Sequence, residues 1–293
     1  MRARRNDLSY DTHRPALALD AAGPREPGLR VECADGGRLV LRQGVTTLLL
    51  GRVESGHRGV AVHRTSRYRS PVPPISAACM RRRPDWLHQF ADHLERAAHG
   101  PLHAGRWLLR SGDLPPDVRP AELVADWPAA HVGWDCPGWN GVVPLRPPGD
   151  PADARVRAHR KHVRDGTLAP VLLWRVSALD GYVLLDGHDR LLAARAEGVR
   201  PPYVVLTRGL DAARRTRRAD EAAERVPRLD RHPDRARRAA LHALGEAAAR
   251  AELESAPTVA WPLPGGASAW DALAAADAPG WSAGLSAPPP SAT

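Results

Sequence analysis

Five consecutive residues, Asp186-Gly187-His188-Asp189-Arg190, set two carboxylates, an imidazole and a guanidinium around a glycine. Groups of these types can bind an anion, hold a divalent cation or pass a proton. Glycine allows close approach of backbone to a ligand, and a guanidinium grips phosphate oxygens through paired N–H groups. The flanking residues indicate how such a turn is held. Val183-Leu184-Leu185 before it is apolar and strand-like, and Leu191–Glu197 after it has helical composition and stops at Gly198. A strand–turn–helix of this kind points free N–H groups and the positive end of a helix at whatever occupies the turn.

Residue type bounds the roles within the turn. Asp186, Gly187, His188 and Arg190 are the candidates for meeting a phosphate, and Asp186 or Asp189 the candidate for holding Mg²⁺. His188 and Asp189 are the expected catalytic pair. The glycine and flanking charges predict a surface imidazole, and imidazole titrates near neutrality. Helix capping is the purely structural alternative. Asp186 would cap a helix over Asp189–Glu197, with Asp189 as its capping-box partner and Arg190 paired to an acid elsewhere. His159 and His162, three apart on an expected helix, present two imidazoles on one face, suited to a metal or to the same phosphate.

The surrounding elements form a regular series. Val142–Leu145 reads as a strand, Pro151–Asp165 as a helix closed by Gly166, and Pro170–Val176 as a strand. Asp180-Gly181 supplies a hairpin turn, Tyr182–Leu185 returns, and Pro202–Leu206 is a further strand after the helix. This order, with its turn, resembles the ParB/sulfiredoxin-like superfamily over residues 140–210. Gly187, Arg190 and Ala193 match that family's G-x-x-R-x-x-A box, and Asp186–Arg190 is similar to the D-G-H-H-R version of ParB-like nuclease-domain proteins. Gly166 and Pro170 resemble the glycine and proline that precede the family hairpin. The resemblance implies an α+β fold and a nucleoside triphosphate held at the box, and this chain's departure there, a carboxylate in place of a cation, fits Mg²⁺ held by Asp186 or Asp189 against the phosphates. The resemblance further implies NTP hydrolysis or phosphotransfer, or alternatively a DNA-binding regulator or nuclease-like protein. A third reading is a non-catalytic interaction module with a degenerate site.

The departures are specific. Partition-type relatives that bind CTP carry arginines where this chain has Asp189 and Leu192, and sulfiredoxins need a cysteine where it has His188. No helix-turn-helix is recognisable in the helical residues 211–256.

Composition bounds the remainder. The 293 residues are 43% hydrophobic, enough for a folded core, and carry a formal charge of +9. Lys161 is the only lysine, and arginine, alanine, proline and glycine are all abundant, as GC-rich coding produces. Arginines cluster at Arg2–Arg5, Arg81–Arg83, Arg214–Arg218 and 235–238. The third cluster reads as a solvated helix face balanced by Asp220, Glu221 and Glu224, or as contacts to DNA phosphates. Cys33, Cys79 and Cys136 are isolated, which predicts neither a disulfide framework nor a zinc ribbon. No apolar run approaches the ~20 residues that span a bilayer, and no apolar segment follows the charged N-terminus, so a cytoplasmic setting without membrane contact is expected.

The expected organisation has five parts. Residues 1–28 read as a loose N-terminal arm. Residues 29–139 read as a β-hairpin, a Pro/Ser/Arg-rich linker over 64–84, a helix over Asp85–Ala98 capped by Asp85, and a Trp-rich irregular region. The 140–210 domain follows. Residues 211–256 read as a helical extension interrupted near Pro227–Pro233, and 257–293 as a Pro/Gly/Ala-rich tail. Trp261, Trp270 and Trp281 dock part of that tail, and the last ten residues are expected to be disordered. Neither the nucleotide nor the oligomeric state is indicated.

Overall fold

A computed structural model describes residues 3–10, 13–24, 26–54, 59–112, 123–134, 141–224 and 254–281. The fold is α+β, as expected, and is built on two mixed sheets. The larger runs β1 (Ala3–Tyr10), β2 (His13–Ala21), β7 (Gly105–Gly112), β12 (Tyr203–Gly209), β10 (Val171–Val176), β11 (Gly181–Asp186) and β9 (Val142–Pro144). A short β13 (Ser255–Ala256) pairs with the end of β12. The smaller sheet runs β14 (Ala260–Pro262), β3 (Leu29–Ala34), β4 (Arg38–Gln43), β5 (Thr46–Val53), β6 (Gly59–Arg64) and β8 (Ala129–Gly133). The helices are α1 (Ala77–Arg82), α2 (Trp86–Arg96), α3 (Ala154–Arg164), α4 (His188–Ala196), α5 (Ala212–Glu224) and α6 (Gly266–Asp277).

The two sheets share one core. Leu17, Leu19, Trp107, Leu109 and Leu206 of the larger sheet cluster with Val31, Leu41, Leu49 and Val62 of the smaller, and Phe90 and Leu94 of α2 join them. Asp85 caps α2 through the N–H groups of Leu87 and His88, as its sequence predicts. The opposite face of the larger sheet buries Val171, Leu173, Tyr182 and Leu184 with Leu191 of α4. On the outer face of the smaller sheet, Val40 and Leu50 meet Leu263, Trp270 and Ala274.

Three regions differ from the sequence reading. Residues 3–21 are not a loose arm but the β1–β2 hairpin at one edge of the larger sheet. Pro15 is tolerated because it falls where the β1–β2 register shifts, so no ladder N–H is needed there. Within the supposedly irregular Trp-rich region, β7 is an interior strand between β2 and β12. The stretch 64–84 is no linker either: it contributes the end of β6 and α1, and Tyr68 and Met80 are buried. Trp270 anchors α6 by donating its Nε1–H to the Leu39 carbonyl at 3.0 Å, so part of the tail docks as expected. Pro227–Pro233, the 235–238 arginines, Trp139, Cys136 and the last ten residues lie outside the described residues. Cys33 and Cys79 are free thiols. Among the described residues, no helix is long and apolar enough to cross a membrane.

Candidate anion site

The site lies where β9 and β11 end. These strands run parallel, pairing Tyr182 with Val142 and Leu184 with Pro144. Continued by two residues, that register brings Arg146 beside Asp186. A crevice beyond the carboxyl ends of parallel strands is a general place for ligands in mixed sheets. Here it is a cavity of about 440 Å³, within the range of small-molecule sites.

One wall is polar. Arg146, Arg155, His159 and His162 face it together with Gly187, His188, Asp189 and Arg190. The turn and both histidines of α3, separate in sequence, thus line one space. Gly187 forms the junction with φ 96°, a left-handed conformation suited to glycine, and a Cβ there would sit 2.9 Å from the Arg190 guanidinium. Gly187 is also the N-cap of α4, and no side chain caps the helix. Its first-turn N–H groups therefore keep the electropositive character of a free helix end.

Asp186 does not cap α4. Its Oδ2 accepts from Arg190 Nη2 at 2.8 Å, and its Oδ1 accepts from the Ser70 hydroxyl at 3.0 Å. Arg190 is buried, and the same Nη2 also donates to the Pro170 carbonyl at 3.1 Å. Asp189 faces Arg155 at 3.6 Å. These engagements do not suit Mg²⁺: both oxygens of Asp186 are committed to donors, which leaves Asp189 as the one carboxylate of the pair able to reach a cation. Among the described residues there is no grouping of three or more His, Cys, Asp or Glu side chains that could hold a metal.

His188 differs most from its expected state. It is buried rather than on the surface, and its Nε2 accepts from the Leu145 N–H at 3.3 Å. Burial, reinforced by the Arg146 and Arg190 charges, holds its pKa well below the usual imidazole value. The ring is therefore neutral with its proton on Nδ1, which makes it a donor and not a base titrating near neutrality. His159 is lowered to about 4, chiefly by burial and next by Arg190. Tyr68 supports this end of β11 by donating to the Leu185 carbonyl at 2.7 Å.

Neutral burial of His188 has a measurable consequence. Below pH about 6.5 the unfolded chain takes up a proton that the folded His188 refuses. Stability is then lost as pH falls from about 6.5 towards the lowered folded value, at up to about 1.4 kcal/mol per pH unit for this residue. Urea denaturation at pH 7.5, 6.0 and 5.0 checks this. His188→Gln should show a shallower acid loss than the parent chain, and equal slopes would refute the assignment.

Four nitrogens of the lining residues are unsatisfied, of ten such buried side-chain atoms among the described residues. Arg146 Nε, His159 Nδ1, His188 Nδ1 and Arg190 Nε are buried without hydrogen-bond partners, and all four residues line this cavity. Buried polar groups are normally paired, because an unmet donor costs about 1–3 kcal/mol. Comparison of the chain with family models, curated proteins and solved structures finds no match.

Sequence reasoning placed Asp186, Gly187, His188, Asp189 and Arg190 together, and His159 and His162 beside them. It missed Arg146, Arg155 and Ser70. Arg146 lies in no motif, and only the β9–β11 register would have disclosed it. Two of the α5 arginines face acids: Arg214 faces Asp211 at 3.6 Å, and Arg218 faces Glu221 at 3.1 Å and Glu254 at 3.4 Å. Of the three acids expected to balance this cluster, Glu221 is the one in these pairs.

Proposed function

We propose that this chain binds the phosphate of a nucleotide in the cavity at the start of α4. The cationic lining carries the reading: Arg146, Arg155 and Arg190 line one space with His159, His162 and His188, and one tetrahedral oxyanion offers acceptors to several such donors. Three further observations support it. The α4 N-terminus is uncapped, Arg146 has no carboxylate partner among the described ion pairs, and His188 presents a fixed N–H. Neutral His188 supplies no near-neutral base, and Asp186 and Asp189 each face an arginine, so the reading is binding alone.

The test is thermal stability of the full chain with inorganic phosphate and with nucleotides, each with and without Mg²⁺. A ligand at a hundred times its Kd stabilises by about 2.7 kcal/mol, a rise of several degrees. The expected result is such a rise, independent of Mg²⁺ and absent in Arg146→Gln. No rise at millimolar ligand, or an undiminished rise in Arg146→Gln, would overturn the proposal.

A further inference from the structure

Resting on that reading, we propose that the ligand is a phosphomonoester: one phosphate group on an apolar, flat body, in nucleotide terms a nucleoside monophosphate and not a triphosphate. The lining of the cavity is of two kinds. Besides the cationic residues, the segment after β6 contributes Val72, Pro73, Pro74, Ile75 and Met80 to the lining. Ser70 is the one side chain with a polar group that this segment adds to the lining, and its hydroxyl is engaged by Asp186. A ligand meeting both kinds is anionic at one end and apolar at the other.

Charge balance limits the anionic end. Three guanidinium groups line the cavity, but two face carboxylates that also line it: Arg190 pairs with Asp186 at 2.8 Å and Arg155 with Asp189 at 3.6 Å. Arg146 is the surplus. One phosphomonoester, of charge about −1.5 to −2, is matched by that arginine, the neutral donor of His188 and the end of α4. Each added phosphoryl group would bring further negative charge towards Asp186 and Asp189 with no additional unpaired cation to meet it. The apolar wall sets the other end. It holds a flat group by contact and offers no side chain that hydrogen-bonds a base edge, so the four common nucleoside monophosphates should bind within a few-fold of one another.

The experiment is calorimetric titration of the full chain, without Mg²⁺ and then with it, using inorganic phosphate, phenyl phosphate, the four nucleoside monophosphates, ADP and ATP. Phenyl phosphate and the monophosphates should bind about tenfold or more tighter than inorganic phosphate, since covering some 50 Å² of apolar surface is worth about that ratio. They should also bind tighter than ATP. Ile75→Ser, and separately the exposed Pro74→Ser, should erase the advantage of phenyl phosphate while inorganic phosphate affinity holds. Two results would overturn the proposal yet leave the phosphate site standing: ATP as the tightest ligand, or phenyl phosphate no tighter than inorganic phosphate. Absence of binding by every anion would remove the phosphate site itself, and this inference with it.

Discussion

Arg190→Ala is expected to lose about 3–5 kcal/mol of stability, the usual cost of stripping one partner from a buried ion pair, and to weaken phosphate binding. The stability term arises because Arg190 is 5% exposed and answers two acceptors at once, the Asp186 carboxylate and the Pro170 carbonyl. Its removal leaves Asp186, whose side chain is 13% exposed, with only the Ser70 hydroxyl. A double change separates the two roles. In Arg190→Ala/Asp186→Ala no charge is stranded, so the combined loss should fall well short of the sum of the single losses. Phosphate affinity should stay weakened in the double variant, because the Arg190 donor is gone while Arg146 remains. Urea denaturation with linear extrapolation reads the first quantity, and the thermal shift with phosphate the second. Additive stability losses would show that the pair is not coupled. Restored phosphate binding in the double variant would show that Arg190 serves only to neutralise Asp186.

The contrast between what was readable and what was not has a physical basis. The run from Val142 to Leu206 was legible because each element carries its own punctuation. Gly166 ends α3 at φ 62°, Asp180 turns the hairpin at φ 44°, and Gly198 follows α4 at φ 69°. β2 and β7 carry no such local signature. Leu17 and Leu19 face the main core while Ala16 and Ala18 pack with Leu8 and Leu108 on the other face, so the alternation that marks a half-buried strand is absent. Alanine and leucine are also strong helix formers, and only the pairing of Leu17 with Leu109 and Leu19 with Trp107 decides the matter. The site divides in the same way. Its turn is contiguous and was read; Arg146 and Ser70 arrive by pairing and by chain reversal. Burial reversed the expectation for His188, since a glycine and charged neighbours say nothing about Leu145 and Tyr68 closing over the ring.

Arg64 carries the second large effect, although it lies outside the cavity. It is 1% exposed, forms no salt bridge among the described residues, and feels the charge of Asp126. Its Nε donates to the Pro128 carbonyl at 3.2 Å, its Nη1 to Val124 at 3.1 Å and to Pro144 at 3.5 Å, and its guanidinium lies 4.7 Å from the centre of the Trp127 ring. Burial lowers its pKa to about 10, which leaves it charged at neutral pH. One side chain thus fastens the end of β6 to the residues before β8 and to the end of β9. Arg64→Ala removes a large buried volume and takes the side-chain donor from the Val124 and Pro144 carbonyls, while Pro128 keeps the N–H of residue 64 at 3.0 Å, and a loss of about 3–5 kcal/mol is expected. Arg64→Met restores most of the volume without the donors, so it should recover only part of that loss. The neighbour of Pro144 is Leu145, whose N–H sets the His188 tautomer. If Arg64 positions that strand end, both variants should also weaken phosphate binding without touching the ligand, and the acid sensitivity assigned to His188 should flatten with it. Weaker stability with unchanged phosphate affinity and an unchanged pH slope would confine Arg64 to joining the sheets.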